Sequence, residues 1–594
     1  MVAVFFFVCH LESPTSPYPR LVCSPCPEYD LELARESEDA VMRVISPPLR
    51  LPQAHRAVGD AVNSGKLSLA DAFRSVSRSV KAYGAGARMP CRPVEVPASG
   101  GIDMEAPAKA GKELASRVKG RLLRMQEAAY GPMASEPSLI SMAAQYASAR
   151  LGMRIAPGIT YRGYGGRACS RCGATTGFYL GDCPSCGSDS CLVCAECEPM
   201  GAMRECEPVY SLEAGPVIPD LRKRHAAVLK YPLTPAQERA SSFVRGWYRE
   251  NTATEALIWA VCGAGKTEVS FSAMEEALNR GGRVMYAAPR RDVVAEIGER
   301  ITASFPGSTC SSFYGGSPAK SRSLTDITVA TTHQALRFYR CFDLTVLDEV
   351  DAFPYQGSRM LEHAVRSARR QGGKTLFMSA TPSRGLMEAA RRGDVPVARI
   401  PARHHGHPLP VPEVLELGAA SDALLGGAEP AVPEELASAV CESLDEGHAH
   451  FVFVPRKAAA EAVAKALARS LESRGRAGAK VGWSHSSDPG REAKRKSFAT
   501  GDMDVLVCTS IMERGVTVPG CDVTVLGSDK EAVFDYRALV QMAGRAGRQQ
   551  ARPTGRVLFL CGRANGEMKE ALGIIREMNE EAARNGFLRG ERGV

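Results

Sequence analysis

Four short strings constrain this chain more than anything else in it: AVCGAGKT at 260–267, DEVD from Asp348, SATP from Ser379 and QMAGRAGR from Gln541. Any one of them occurs by chance in unrelated proteins. In this order, over roughly 280 residues, they imply two packed α/β lobes with a nucleotide held between them. Gly263, Ala264 and Gly265 let backbone N–H groups close on phosphates at the start of a helix, whose dipole adds positive potential. Lys266 is placed to reach the β- and γ-phosphates, and Thr267 to bind Mg²⁺. Asp348 ends the apolar run LTVL, where a second carboxylate is needed to hold Mg²⁺. Glu349 beside it is the candidate to orient and deprotonate water. Gln541, Arg545 and Arg548 are the candidate groups that stabilise a γ-phosphate in transit from the facing lobe. In LTPAQ, Gln237 is a candidate reader of the adenine edge, although Thr234 and Pro235 equally describe the opening of a helix.

The flanking pattern supports a parallel sheet. ALIWAVC, RVMYAAP, ITVAT, LTVLDEVD and TLFMSAT are short apolar runs that each end where a motif begins. Ligand-binding loops follow strand C-termini in this way in doubly wound α/β folds. A second series follows: HFVFVP, KVGWSHS, DVLVCTS, VTVLG and VLFLCG. The expected division is an N-terminal region over 1–156, a cysteine-rich module over 157–212, an ATP-binding lobe over 231–402, a Pro/Gly/His-rich connector over 403–432, and a second lobe over 433–578. Near the start, Phe5–Phe7 and their neighbours suggest a strand, LSLADAFRSVSRSVK at 67–81 suggests an amphipathic helix capped by Ser68 and Asp71, and 84–101 suggests a linker. PRRD (289–292), TTH (331–333), SAT (379–381), VPRK (454–457) and SIMERGV (510–516) fall at strand ends, where they are candidates to grip the phosphates of a nucleic-acid strand.

Eight of the 19 cysteines lie between Cys169 and Cys206. Cys169-x2-Cys172 and Cys183-x2-Cys186 are each followed by glycine, the turn of a zinc knuckle, and two such pairs close one tetrahedral site. The preferred tetrad is therefore Cys169, Cys172, Cys183 and Cys186, with Cys191 or Cys206 as a bystander. Eight ligands also suffice for two ions, and an iron–sulfur cluster is the rival. A disulfide-built secreted protein would not set a thiol, Cys262, inside a phosphate loop, so the cysteines point to a reducing compartment. Net charge is +8, which permits a polyanionic partner without demanding one. No stretch approaches the length of apolar sequence that spans a bilayer.

The motor motifs resemble superfamily 2 helicases and translocases across about 231–575. More specifically, DEVDAFPY (348–355), PRRDVVAEI (289–297), RHHGHPLPVP (403–412), HSSDPGR (485–491) and MERGVTVPG (512–520) resemble the ComFA family, the late-competence ATPases that help draw transforming DNA into Gram-positive-type bacteria. The resemblance implies two RecA-like parallel-sheet lobes preceded by a small cysteine-rich zinc module; residues 1–156 match nothing firm, and a mainly helical N-terminal region is the expectation there. It implies ATP, Mg²⁺ and Zn²⁺ as cofactors and ATP hydrolysis stimulated by single-stranded DNA. As partners it implies a membrane DNA channel protein, a ComFC-like protein and a recombination mediator; self-association into a homo-oligomer is a separate expectation. The implied location is cytoplasmic, at the inner face of the cell membrane. A PriA-like replication-restart helicase is the second reading, although there the cysteines interrupt the motor's second half. A zinc-based DNA-binding adaptor with an inactive ATPase is the third.

Overall fold

The computed structural model describes residues 7–12, 20–24, 26–35, 41–46, 49, 51–63, 68–82, 94–95, 104–129, 132–162, 166–215, 224–250, 253–316, 324–418, 431–509, 518, 520–550 and 552–589. Two all-parallel sheets dominate it. The first has seven strands, ordered Cys310–Phe313, Ile327–Thr331, Val284–Ala288, Phe342–Asp348, Arg369–Ser379, Glu255–Ala260 and Val397–Ile400. The second has six, ordered Glu413–Glu416, Val557–Cys561, Cys521–Leu526, Ala449–Phe453, Val505–Cys508 and Val481–Ser484. Strands covered by helices on both faces carry unbroken apolar runs rather than alternation. Val284–Ala288 and Ile327–Thr331 show why: every residue of both is buried.

The three strands missing from the sequence reading, Cys310–Phe313, Val397–Ile400 and Glu413–Glu416, are all at sheet edges. Half-exposed edges do not need a continuous apolar run, so their pattern is weak. Glu413–Glu416 lies inside the expected connector and pairs in parallel with Val557–Cys561. That stretch is therefore partly woven into the second lobe. Helix Gly566–Arg584 returns from the second lobe to the first, where Arg384 meets Glu567 and Glu570, and Arg399 meets Glu577 and Glu581. One apolar core runs through both lobes. Its aromatic contacts include Phe271 against Phe305, edge to face with centroids 5.2 Å apart; burying each ring stabilises the fold by about 2–3 kcal/mol.

The N-terminal region is mainly helical, with helices such as Leu51–Asn63, Leu69–Ala82, Glu105–Val118 and Pro137–Leu151. Phe7–Glu12 is a strand, and Ser68 accepts a hydrogen bond from the Asp71 amide at 3.3 Å, so the expected helix cap forms. Most of the expected linker at 84–101, and all of 510–516, lie outside the described residues. Pro208–Ser211 pairs antiparallel with both Arg154–Pro157 and Leu122–Arg124. The cysteine segment is thus an excursion from this small sheet. The sheet in turn sits on the first lobe through the Tyr339 amide, which donates to the Gly120 carbonyl at 3.0 Å.

Candidate nucleotide cleft and cysteine module

In the first sheet, Phe342–Asp348, Arg369–Ser379 and Glu255–Ala260 are neighbours. Their C-terminal ends therefore bring the phosphate loop, DEVD and SAT together. Gly265 caps helix Lys266–Asn279 with a left-handed φ of 71°. That φ disfavours a side chain there, and a Cβ would in addition displace the Gln237 amide, coming within 2.4 Å of its Nε2. Lys266 Nζ stands 3.3 Å from Asp348 Oδ1. Burial alone would push the Lys266 ammonium down, but Asp348, Glu349, Asp351 and Cys262 outweigh it and hold it above its ordinary value. Asp348 also accepts the Tyr286 hydroxyl at 2.9 Å and the Glu349 amide at 2.9 Å. This last bond helps hold Glu349 at φ 51°, a region that non-glycine residues rarely occupy. Burial and the Asp348 charge push the Tyr286 hydroxyl far up, so it stays a donor.

The far wall of the cleft comes from the second lobe. Gly263, Ala264, Gly265, Lys266, Thr267, Asp348 and Glu349 share a cavity of about 1070 Å³ with Gln541, Arg545 and Arg548. Lys266 and Arg548 thus face the same space, the arrangement a finger mechanism requires. Arg548 lies directly over the loop, since a Cβ on Gly263 would sit 3.3 Å from its Cγ. Gln541 spans the lobes. It accepts from the Cys262 thiol at 3.1 Å and donates to the Thr381 hydroxyl at 3.3 Å.

One expectation changes. Ser379 and Thr381 are fully buried, and their hydroxyls donate to Asp351 at 2.6 and 2.7 Å. They tie DEVD to SAT and are not free to hold nucleic-acid phosphates. Gln237 closes a capping box with Thr234, accepting the Thr234 amide at 2.8 Å, and donates to the Ala264 carbonyl at 2.8 Å. It lines the cleft while bracing the phosphate loop from outside.

The eight cysteines form two groups of four, Cys169, Cys172, Cys194 and Cys197, and Cys183, Cys186, Cys191 and Cys206. The tetrad expected from the two CxxC pairs alone is not the one assembled, and neither Cys191 nor Cys206 is a bystander. Each knuckle takes its remaining two cysteines from further along the chain. The reason is the hairpin of Phe178–Gly181 with Cys191–Cys194, whose register separates the knuckles. Sulfur separations are 3.7 Å for Cys169–Cys197, 3.6 Å for Cys172–Cys194, 3.5 Å for Cys183–Cys206 and 3.7 Å for Cys191–Cys206. Tetrahedral zinc with Zn–S of about 2.3 Å sets sulfurs about 3.8 Å apart, so both groups fit such an ion. Buried Arg171 donates to the Cys197 carbonyl at 3.1 Å and its sulfur at 3.4 Å, an outer hydrogen bond typical of thiolate sites. The first group also packs against the motor. A Cβ on Gly173 would strike the His363 ring at 2.5 Å, and the group shares an apolar cluster with Leu336, Phe342 and Leu361. By contrast Cys23 and Cys26 join no such group among the described residues.

Three family models match the chain. The DEAD/DEAH box helicase model matches residues 234–389, the helicase conserved C-terminal domain 432–550, and the competence protein ComFA N-terminal domain 108–211. The last match takes in residues 108–156, for which the sequence offered no firm resemblance. Competence protein ComFA of Bacillus subtilis is 36% identical over 420 residues, covering 70% of this chain and 86% of that one. The Streptococcus pneumoniae protein of the same name is 33% identical over 391 residues, covering 66% and 86%. Among solved structures, S. cerevisiae Dbp5 bound to RNA and ADP BeF3 aligns with a TM-score of 0.41 and 18% identity, covering 58% of this chain and 87% of that one. With helicase-type lobes, a shared cleft and a ComFA N-terminal domain in one polypeptide, this chain belongs to the ComFA family of competence proteins and is an ATP-dependent enzyme of the helicase type.

Proposed function

We propose that the protein is an ATP-driven translocase that tracks single-stranded DNA and serves the uptake of transforming DNA. The observation that carries this reading is the single cleft in which Lys266, Asp348 and Glu349 of one lobe face Gln541, Arg545 and Arg548 of the other. The backbone of Gly263–Gly265 and the Lys266 ammonium hold the phosphates. Thr267 and Asp348 would hold Mg²⁺, which neutralises charge on the β- and γ-oxygens when bound. Glu349 orients the attacking water, and Arg545 and Arg548 take up the charge that develops on the transferred group. Because those arginines come from the second lobe, hydrolysis depends on lobe closure, and closure moves the strand-gripping loops. Gln237 reads the adenine edge from the same rim. Arg290 and Arg291, the 331–333 turn and Lys457 are the proposed phosphate grips within the described residues.

The cytoplasmic face of the cell membrane is the proposed site of action. A membrane DNA channel protein, a ComFC-like protein and a recombination mediator are the proposed partners, alongside self-association. Among the described residues no helix is long and apolar enough to cross a membrane, so attachment would be through such partners.

ATP turnover by the purified protein should rise strongly with unstructured single-stranded DNA and little with blunt duplex, and the stimulation should fall as salt rises, because phosphate contacts release counterions. Forked duplex with true strand separation as the preferred substrate would favour the restart helicase instead. No turnover on any nucleic acid would leave the zinc-based adaptor.

Two zinc ions per chain are proposed, one in each group of cysteines. Cys194→Ser and Cys206→Ser should each remove about one zinc per chain, and together both, as measured by elemental analysis. Cys194→Ser should also lower the melting temperature more, since its group is packed into the motor lobe. Zinc content unaffected by either change would return the ligand set to Cys169, Cys172, Cys183 and Cys186.

A further inference from the structure

Arg403 opens the RHHGH stretch between the lobes and is the largest fully buried side chain among the described residues. Its guanidinium meets only carbonyls. Nε donates to Cys262 O in the phosphate loop at 3.2 Å. One terminal nitrogen donates to Ala546 O at 2.7 Å and Gly547 O at 2.6 Å, and the other to Gly544 O at 3.0 Å. These last three carbonyls follow helix Tyr536–Ala543. A cation there satisfies orphan acceptors at the negative end of the helix dipole. The same group therefore caps the arginine-bearing loop of one lobe and grips the phosphate loop of the other. Neighbouring histidines repeat the pattern more weakly, His404 against Gly263 O at 3.3 Å and His405 against Gly547 O at 3.2 Å. Burial, with Arg548 adding repulsion, pushes the Arg403 guanidinium down to about 10, so it remains charged at neutral pH. The cross-lobe ion pairs of Arg384 differ in kind, since Arg384 is 59% exposed and such surface pairs are weak.

We propose that Arg403 is a positioning residue for ATP hydrolysis, holding the Gly544–Arg548 loop in register with the phosphate loop so that Arg545 and Arg548 stand over the γ-phosphate. This rests on the motor reading for what those two arginines do. A planar fork with five donors spans carbonyls of both lobes at once, whereas a lysine ammonium is a single point and cannot. Misplacing a reacting group by about 1 Å costs about 100-fold in rate.

The test uses the full chain with Arg403→Lys and Arg403→Ala, each alone and combined with Arg548→Ala. Arg403→Lys should lower kcat by about 10–100-fold while the KM for ATP stays within about threefold. Added to Arg548→Ala it should cost clearly less than it does alone, because the share of its effect that acts through Arg548 is already lost and only the share through Arg545 remains; a residue serving only stability would be additive. Amide hydrogen exchange at 544–548 should be faster by at least about tenfold in the nucleotide-free variant. Wild-type kcat in Arg403→Lys, full additivity with Arg548→Ala, or unchanged exchange would each overturn the proposal. Arg403→Lys keeps the buried stem and carries the test if Arg403→Ala does not fold. If the wild type hydrolyses no ATP on any nucleic acid, the motor reading fails on its own, and the exchange measurement still decides whether Arg403 holds the loop.

Discussion

Arg548→Ala should lower the maximal rate of ATP hydrolysis by about 10³–10⁵-fold, with nucleotide affinity changed far less. At the lower bound the loss is about 4 kcal/mol of transition-state stabilisation. The residue reaches the cleft from the second lobe and lies over Gly263. Its guanidinium meets most charge when the γ-phosphoryl group is between attacking and leaving oxygens, which makes its contribution one of rate. Single-turnover hydrolysis beside equilibrium binding of a fluorescent ATP analogue separates the two quantities. Equal losses in both would mean that Arg548 binds the ground state and is no finger.

Lys266→Ala should abolish measurable turnover, a loss of at least about 10²–10³-fold, while single-stranded DNA binding persists. Lys266 is half-buried beside Asp348, with its ammonium 3.3 Å from the carboxylate. Removing it takes away the positive charge aimed at the phosphates. It also leaves Asp348 without its cation, so Asp348 keeps only the Tyr286 hydroxyl and the Glu349 amide. The change is confined to the phosphate loop, and the proposed DNA grips at Arg290, Arg291 and Lys457 lie at the starts of two other helices. Retained hydrolysis would remove the loop's assignment, and loss of DNA binding together with turnover would point to a wider collapse of the lobe.

Stacked on these two, the Arg403 and cysteine variants probe contacts that do not touch nucleotide at all. Both depend on where distant segments meet. The buried strands were legible because parallel sheets demand continuous apolar runs, as in Val284–Ala288, and the edge strand Glu413–Glu416 was not, because solvent on one side relaxes that demand. Gln541 was legible as a functional position from its motif. That it bonds Cys262 and Thr381, and so links three motifs across two lobes, was not.

Local spacing by itself determined which residues can serve: a glycine-rich turn before a lysine, paired carboxylates after an apolar strand, and cysteines two apart beside a glycine. Those features act within a few residues, where backbone geometry dictates what a side chain can reach. Only the tertiary structure decided the partnerships. Cys169 and Cys172 join Cys194 and Cys197 because a hairpin's register brings them together, and Ser379 and Thr381 turn inward because Asp351, in the turn after the neighbouring strand Phe342–Asp348, accepts both hydroxyls. Arg403, unremarked in a connector, is held by carbonyls some 140 residues away in the chain on either side, at Cys262 and Gly544. Hydrogen bonds and metal geometry act over about 3–4 Å in space and are indifferent to separation along the chain, so such contacts come into being only when the lobes pack.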